Sequence, residues 1–403
     1  MHPVDLVSKS ATEESLVKND RAGLLDGVNI AIVTNTAWNI FNFRLLLAAR
    51  LQQEGARVFA VAPNDETVDT IKKAGLTFVE LKHLGRRSTN PFSDLKLLRE
   101  LTSIYRTHKI DLALLFTPKP SIYGSLAGKR AKTLTVSTIT GLGFAFIGNP
   151  ILTKIVTQLY RSTLKHGQKT VFQNEDDLEL FIKKKMISRD KVVIFRGSGV
   201  DVDSFAPSAE LPSRPFKKIL FVGRLLRDKG IVELLNAAKT HLAEFPQDQF
   251  HIVGSTDEGN PASLSQQDVD DWSTNTNLHF HGYRYDVKNY LADCDIVVLP
   301  SYREGMPRVV LEGMSMAKPC IVTDVPGCRD TVEHEKSGLI VPVRNAVALA
   351  AAIRNLTTRS DEELQKMGQA ARQRAIDTFS SQKINSQYLE IIVDLLRSKP
   401  NSK

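Results

Sequence analysis

Short apolar runs rich in β-branched residues alternate with helical patterns from about Val28 to Phe379 in this 403-residue chain. Val28–Thr34 is predicted to be a buried strand, and Phe43–Leu51 places its apolar residues on one helix face. Further strands are predicted at Arg57–Val61, Thr77–Leu81, Asp111–Phe116, Thr133–Thr138, Lys169–Phe172, Lys191–Phe195, Lys218–Val222, Gln249–Val253, Asn277–Phe280, Asp295–Leu299, Pro319–Thr323 and Leu339–Val341. This alternation is typical of an α/β fold with doubly wound parallel sheets.

The alternation is interrupted once, at Gly197–Lys217, by glycines, prolines and polar residues. We therefore predict a linker at 206–217 between a Rossmann-like domain at 26–205 and a second one at 218–380. Two such domains would face each other across a cleft and hold ligands at the carboxyl ends of their strands. Residues 1–25 are predicted to be a flexible segment. The tail from Asp361 to Ser398 resembles two helices, and whether the last, within 381–403, packs back on the first domain is left open.

Composition narrows the class of protein. Lys and Arg exceed Asp and Glu to give a net charge of +8, which suits phosphates, an acidic membrane surface or nucleic acid, or simply a basic, soluble surface. The start of the chain lacks the apolar run of a secretory signal, so none is expected. The sequence contains no run of about 18 apolar residues, so no membrane span is expected either. The three cysteines, Cys294, Cys320 and Cys328, show no CxxC spacing, so we expect buried free thiols in the cytoplasm, with no metal site.

Two cations follow the strand Lys218–Val222. Arg224 and Lys229 lie five residues apart, between that strand and the next helix, where a helix N-terminus adds positive charge. Arginine binds phosphate oxygens in a fork and lysine acts as a point charge, so the pair suits an anionic ligand. A solvated charged loop is the alternative.

Two acids follow the strand Asp295–Leu299. Glu304 lies in the loop before a predicted helix that begins near Pro307, and Glu312 lies inside that helix, so both carboxylates could line one pocket and accept hydrogen bonds from sugar hydroxyls. The alternatives are a helix-capping carboxylate for Glu304 and a solvated residue for Glu312. The helix is apolar, however, and a buried Glu312 would need a partner. The free amides of the first helical turn, from Arg308, Val309 and Val310, are predicted to form an anion site.

These segments resemble the donor-site motifs of retaining glycosyltransferases of family four, which have the GT-B fold. The two glutamates show the E-x7-E spacing of that family. The resemblance extends over Phe221–Arg224, Asp228–Gly230, Pro300–Met314, Thr323–Asp330 and Gly338–Pro342. One departure is Gly313, where many members have alanine; glycine is expected to loosen the helix by about 1 kcal/mol.

The first half is similar, more loosely, to bacterial members that extend glycans on polyprenyl-diphosphate carriers, with transferred sugars such as N-acetylhexosamine or galactose. The matching segments are Thr117–Pro120, Thr140–Gly143, Phe172–Asp177 and Gly197–Asp201.

The resemblance implies a retaining transfer without a metal. Arg224 and Lys229 would neutralise the departing diphosphate, Glu304 would bind the transferred sugar, and Glu312 would bind the ribose. Arg224, Lys229 and Glu304 are thus the predicted catalytic residues. The other predicted donor-binding residues are Gly141, Gly143, Gly223, Tyr283, Gly305, Met306, Pro307, Arg308 and Val309.

The acceptor is expected in the first domain. Asn39, in the loop Asn35–Asn42, Arg44 and Lys119 are the predicted acceptor-binding residues, and Lys119 could meet the acceptor diphosphate. A turn residue and a solvated helix end are the alternatives for Asn39 and Arg44.

The implied partners are a nucleotide-sugar donor, a UDP-sugar by expectation, a polyprenyl-diphosphate-linked saccharide and an anionic membrane surface. The basic stretches Lys82–Arg87 and Ile151–Lys169 are expected to contact this surface at the inner face of the cytoplasmic membrane. A core-packing helix with a solvated face is the alternative for the second stretch. A sugar-nucleotide epimerase and a basic nucleic-acid-binding protein are the competing functions. No nucleic-acid module is found, so no nucleic-acid partner is expected.

Overall fold

A computed structural model describes residues 23–85, 91–142, 150–207 and 214–398. The chain divides into two compact units after Ser198 and again after Ser380, so that the last helix returns to the first unit. Residues 199–207 belong to the second unit, where Val200 is buried in the core and the Phe205 carbonyl accepts a 2.8 Å hydrogen bond from the Ser315 hydroxyl. The units thus divide before the predicted linker at 206–217, of which residues 208–213 lie outside the described residues.

The first unit is built on a seven-stranded parallel sheet of order β3-β2-β1-β4-β5-β6-β7. Its strands are β1 Asn29–Val33, β2 Arg57–Ala62, β3 Thr77–Glu80, β4 Leu112–Phe116, β5 Leu134–Ile139, β6 Lys169–Phe172 and β7 Val192–Ile194. The central strands β1 and β4 are almost wholly apolar and buried, as expected for a sheet that is covered on both faces.

The second unit contains a six-stranded parallel sheet of order β10-β9-β8-β11-β12-β13. Its strands are β8 Lys218–Val222, β9 Gln249–Val253, β10 Leu278–Phe280, β11 Ile296–Leu299, β12 Cys320–Thr323 and β13 Gly338–Val341. All thirteen predicted strands are therefore confirmed, each to within one residue at either end. Cys294, Cys320 and Cys328 are buried free thiols, as predicted, and burial raises the pKa of each.

Helices connect the strands of each sheet. In the first unit they are Ala37–Phe43, Leu45–Gln53, Val68–Lys73, Pro91–Thr107, a π-helix at Pro120–Gly124, Ser125–Ala131, Pro150–Thr163, Glu175–Lys183 and Ser381–Arg397. In the second unit they are Ile231–Leu242, Gln266–Trp272, Val287–Asp293, Arg308–Ser315, Ala346–Thr357 and Asp361–Phe379. None of the helices within the described residues has the length and apolar character needed to cross a membrane.

The loop predicted at Asn35–Asn42 is wrong, because a helix spans Ala37–Phe43. The Thr36 side chain caps this helix by accepting from the Asn39 amide at 3.1 Å, and Ala37 and Ile40 turn toward the core at helical spacing. The helix stops at Arg44, whose φ of −129° leaves the helical region, and a second helix begins at Leu45.

The final helix is anchored in the first unit by Tyr388. Its hydroxyl lies 2.9 Å from the Thr138 hydroxyl at the end of β5, and its buried ring packs against Phe116 and Phe195. The helix Ser381–Arg397 therefore packs into the core of the first unit.

Candidate active site

The carboxyl ends of neighbouring strands in the second unit gather most of the predicted donor-site residues. Strands β10, β9, β8 and β11 lie side by side, so the loops that follow them meet at one edge of the sheet. The Gly223 amide donates to the Val253 carbonyl, and the Gly254 amide donates to the Gly282 carbonyl, each at 2.9 Å. The backbone turns after β8, β9 and β10 are thus joined by hydrogen bonds.

Lys229 and Glu304 form an ion pair at this edge, although 75 residues separate them along the chain. Lys229 closes a short 3₁₀ turn after β8, and Glu304 lies in the loop after β11. The Ser301 hydroxyl donates to the same carboxylate oxygen of Glu304 at 2.7 Å. The side chains of Lys229 and Glu304 keep 24 % and 14 % of their surface exposed, so a ligand can still reach them.

Close backbone packing brings these two loops together. Gly230 has φ +73°, and a Cβ atom there would lie 2.0 Å from the carbonyl oxygen of Pro300. Only glycine fits at this position, because it lacks that atom and tolerates the left-handed conformation. The Tyr302 amide also donates to the Asp228 carbonyl at 2.8 Å. The Lys229–Glu304 pair is therefore set by contacts of the main chain.

A third loop supports Glu304 from the other side. The Glu304 amide donates to the Pro326 carbonyl at 3.2 Å, after strand β12. Gly327 has φ +79°, and a Cβ atom there would lie 2.5 Å from the carbonyl oxygens of Glu304 and Gly305. The loop that carries Glu304 is thus held between the loops that follow β8 and β12.

Arg224 lies at the same edge of the sheet but pairs with a different acid. Its guanidinium lies 2.7 Å from a carboxylate oxygen of Asp257, and 58 % of its side chain is exposed. Asp257 follows strand β9, the immediate neighbour of β8, and our sequence prediction missed it. The signal that could have found it is an acid shortly after the strand that flanks β8.

Glu312 is buried in the helix Arg308–Ser315, so the solvated alternative is wrong. Its partner is Arg308 on the preceding turn, with Nε 2.7 Å from the Glu312 carboxylate. Burial raises the pKa of Glu312, and the positive charge of Arg308 opposes that rise. Residue Pro307 is the N-cap rather than the first helical residue, and its carbonyl accepts from the Val310 amide at 3.1 Å. The amide of Val310 is therefore not free, contrary to the prediction.

Gly313 has a packing role that the sequence analysis missed. A Cβ atom at this position would lie 2.8 Å from a methyl group of Val297 on strand β11. Glycine therefore lets the helix that carries Glu312 lie close against the sheet, in addition to any effect on helix propensity.

The other donor-site candidates of the second unit differ in how much of each side chain a ligand can reach. Gly305 and Pro307 are buried, while Met306 and Val309 pack against the core and can offer a ligand mainly their backbone. Tyr283 follows β10 at the same edge, is half exposed and meets Tyr285 edge to face, with ring centroids 4.9 Å apart.

Gly141 lies in the first unit after β5, with a φ of +118° that favours glycine. Gly143 lies outside the described residues.

The acceptor candidates follow strands β1 and β4 of the first unit. The Lys119 ammonium lies 2.6 Å from Asp94, whose second carboxylate oxygen accepts from the Tyr123 hydroxyl at 2.6 Å. Asp94 and Tyr123 were not predicted, and nothing in the spacing along the chain indicates the pairing. The side-chain oxygen of Asn39 is buried with no hydrogen-bond partner among the described residues. It can therefore accept a hydrogen bond from a ligand.

Arg44 is not the solvated helix end that the sequence left open. It is 2 % exposed, and its guanidinium carbon lies 3.7 Å from the ring centroid of Phe116. Such stacking places the cation inside the core of the unit.

Two Rossmann-like units, each with a parallel sheet, and a cation–carboxylate pair at the carboxyl edge of the second sheet are the features expected of a glycosyltransferase of the GT-B fold. Residues 206–374 match the family model "Glycosyl transferases group 1", and residues 29–174 match the model "Glycosyl transferase 4-like". The chain belongs to this glycosyltransferase family. Both models are glycosyltransferase models, and they favour neither the epimerase nor the nucleic-acid alternative.

Curated relatives cover most of the chain. It is 27 % identical over 355 residues to an N,N'-diacetylbacillosaminyl-diphospho-undecaprenol alpha-1,3-N-acetylgalactosaminyltransferase of Campylobacter jejuni, covering 84 % of this chain and 91 % of the relative. It is 26 % identical over 326 residues to the UDP-Gal:alpha-D-GlcNAc-diphosphoundecaprenol alpha-1,3-galactosyltransferase of Escherichia coli, covering 78 % of this chain and 83 % of the relative.

A solved structure also shares the fold. The crystal structure of a glycosyltransferase from Rickettsia africae superposes with a TM-score of 0.76 at 20 % identity, covering 93 % of this chain and 99 % of that one.

Proposed function

We propose that this glycosyltransferase moves a sugar, with retention of configuration, from a UDP-sugar to a polyprenyl-diphosphate-linked saccharide. The observation that carries the donor half is the Lys229–Glu304 pair, built where β8 and β11 end side by side. The printed names of the Campylobacter and Escherichia relatives, which describe undecaprenol-diphosphate-linked substrates, support the acceptor half. The work of such an enzyme belongs to bacterial surface glycan synthesis.

The Lys229–Glu304 pair explains how the site can exist without a ligand and then accept one. In the free protein each charge compensates the other, which limits the cost of holding both partly buried. When the donor binds, its diphosphate replaces Glu304 as the ion-pair partner of Lys229, and Arg224 turns from Asp257 to a phosphate oxygen. Glu304 is then free to accept hydrogen bonds from hydroxyls of the sugar.

Charge builds up on the leaving phosphate as the bond from the anomeric carbon to the phosphate oxygen breaks. The acceptor hydroxyl oxygen forms the new bond to that carbon and passes its proton to the departing phosphate oxygen, while the nucleoside diphosphate leaves with the electron pair of the broken bond. Lys229 and Arg224 stabilise the developing negative charge, the role a divalent metal plays in other transferases. Glu312, held by Arg308, binds the ribose hydroxyls.

In the first unit, Lys119 and Asn39 contact the acceptor. Lys119 exchanges Asp94 for the acceptor diphosphate, and the buried oxygen of Asn39 accepts from a hydroxyl of the acceptor saccharide. Both residues follow the carboxyl ends of central strands of the first sheet, and parallel sheets bind their ligands at those ends.

We assign contact with the anionic inner face of the cytoplasmic membrane to the first two turns of the helix Pro150–Thr163. The structure places Val156, Leu159 and Leu164 in or against a buried cluster, so most of the predicted apolar stripe packs in the core. Ile151 and Ile155 remain 73 % and 53 % exposed beside the exposed Lys154. Two apolar side chains and a cation suit a headgroup layer. Of the other basic stretch, Arg86 and Arg87 lie outside the described residues.

A donor and acceptor panel tests the proposal. Purified protein is incubated in EDTA with UDP-, GDP- and dTDP-sugars, with and without a polyprenyl-diphosphate saccharide, and nucleoside diphosphate release and the anomeric configuration of the product are measured. We expect release with a UDP-sugar that depends on the acceptor. Isomerised donor without release would indicate an epimerase, and loss of activity in EDTA would contradict the metal-independent mechanism.

Vesicles test the membrane assignment separately. Wild-type protein is expected to sediment with anionic vesicles, and an Ile151→Ser, Ile155→Ser double variant to remain in solution. Equal sedimentation of the two proteins would remove this helix from the membrane contact.

A further inference from the structure

Tyr302 ties the loop of Glu304 to the segment that carries Lys229. Its amide donates to the Asp228 carbonyl at 2.8 Å, and its hydroxyl donates to the Glu233 carboxylate at 2.6 Å. Glu233 lies in the first turn of the helix Ile231–Leu242, directly after Lys229. Burial and then the hydrogen bond to Glu233 raise the pKa of Tyr302 to about 12, so the phenol stays protonated at neutral pH.

Arg344 reaches the same tyrosine from a third segment, the loop after β13. Its guanidinium carbon lies 4.6 Å from the ring centroid of Tyr302, which is a cation–π contact. The residue is exposed, so burial does not account for its position. Its backbone has φ +57°, a left-handed conformation that a residue other than glycine adopts at a cost of about 1 kcal/mol.

These contacts form a chain from Arg344 through the Tyr302 ring to Glu233. They join the loop after β13, the loop after β11 and the helix after β8. The loop after β11 carries Glu304, and Lys229 lies two residues before the first residue of the helix after β8. A shift of Tyr302 would therefore move the Glu304 loop relative to Lys229.

We propose that Tyr302 and Arg344 are positioning residues, which hold the Lys229–Glu304 pair in the geometry needed for sugar transfer. This inference rests on the proposed function. Neither side chain is assigned a contact with the reacting atoms. Their effect should appear in turnover, since a small misplacement of groups that act in the transition state lowers the rate strongly.

Two variants each remove one of the two contacts, Tyr302–Glu233 and Arg344–Tyr302, and are chosen to disturb folding little. Tyr302→Phe keeps the ring that Arg344 stacks on and removes the hydroxyl, and with it the hydrogen bond to Glu233. Arg344→Gly removes the cation and also the left-handed strain, so it should not lower the thermal midpoint. Glu335→Gly is the matched control, because Glu335 is another exposed residue of the second unit with a left-handed φ, of +63°.

Steady-state kinetics with the UDP-sugar and the lipid-linked acceptor give the readout, together with the affinity for UDP and the thermal midpoint. We expect kcat to fall about ten-fold in Tyr302→Phe and in Arg344→Gly, with UDP affinity changed less than about three-fold, and Glu335→Gly to match the wild type. A purely structural role would lower the thermal midpoint and leave kcat per folded molecule unchanged.

If the wild-type enzyme is active and both variants have a kcat within about two-fold of its value, the inference is overturned and the proposed function stands. If Tyr302→Phe fails to fold, Arg344→Gly alone decides by the same criterion. A wild-type protein that turns over no donor would instead refute the proposed function, and the inference with it.

Discussion

The carboxyl edges of the two sheets use similar charged residues in different ways. In the second unit Arg224 and Lys229 are 58 % and 24 % exposed and pair with acids that a ligand can replace. In the first unit Arg44 is 2 % exposed and stacks on Phe116. Lys119 of the first unit is as exposed as Lys229, at 24 % of its side chain, and likewise pairs with an acid, Asp94. A cation after a central strand is therefore available to a ligand only where the fold leaves it partly in solvent.

The sharpest test of this difference is Lys229→Ala. We expect turnover to fall by about 10²–10³-fold, because the variant loses the charge that stabilises the leaving diphosphate. Initial rates with saturating donor and acceptor check this. The control is Arg354→Ala, which removes a cation that pairs with Glu244 on the exposed surface of the same unit. A Lys229→Ala enzyme with wild-type turnover would remove Lys229 from the site.

Arg44→Ala tests the other side of the comparison. We expect the free energy of unfolding to fall by about 2–4 kcal/mol, because the change leaves a cavity beside Phe116 and removes the stacked cation. Urea unfolding measures this loss. Arg50→Ala is the matched control, since Arg50 pairs with Glu54 on a helix surface and should contribute less than about 1 kcal/mol.

The acceptor KM of Arg44→Ala separates the two possible roles. An unchanged stability with a raised acceptor KM would show that Arg44 binds the acceptor, as the sequence alone suggested.

Glu312→Gln asks whether a buried acid of the second unit serves a ligand. We expect the donor KM to rise about ten-fold with kcat nearly unchanged, because the neutral amide holds the ribose hydroxyls more weakly than a carboxylate. The KM for a series of donor concentrations at saturating acceptor is the measurement. An unchanged donor KM would indicate that the Arg308–Glu312 pair serves only the fold.

A histidine cluster provides a smaller effect that is confined to the second unit. His251 on β9 lies 2.9 Å, nitrogen to nitrogen, from His281, and its ring centroid is 4.8 Å from that of His279. Burial, and then the neighbouring His279 and His281, lower the pKa of His251 to about 4. Lys218 acts in the same direction, and Asp293 opposes it.

The sign of the pH effect follows from this shift. Between the unfolded pKa of about 6.5 and the folded value, the unfolded state binds the extra proton, so the free energy of unfolding should fall as the pH is lowered. Because His251 is partly exposed, we expect on the order of 1 kcal/mol between pH 7 and pH 5. Urea unfolding at both values should show a smaller loss in His251→Gln than in wild type. An equal loss in both proteins would contradict the assignment.

The prediction of the strands succeeded because each is a short apolar run with its own boundary signals. A central strand such as Leu112–Phe116 is apolar at every position, and that pattern does not depend on its neighbours. The helix Ala37–Phe43 was missed because the polar residues Asn35, Asn39 and Asn42 suggested a loop. The apolar residues that turn it toward the core lie among them. The polar composition there favoured a loop and the burial of Ala37 and Ile40 favoured a helix, and the structure shows the helix.

The sequence by itself determined the fold class, the strand bounds and the two motifs that carry Lys229 and Glu304, because these are properties of short segments. Only the tertiary structure decided which charges meet. Lys229 pairs with Glu304, Arg224 with Asp257 and Lys119 with Asp94, and Arg44 is buried on Phe116. Each of these contacts joins segments distant along the chain, and their partners are set by strand order and close backbone packing, which no single segment encodes.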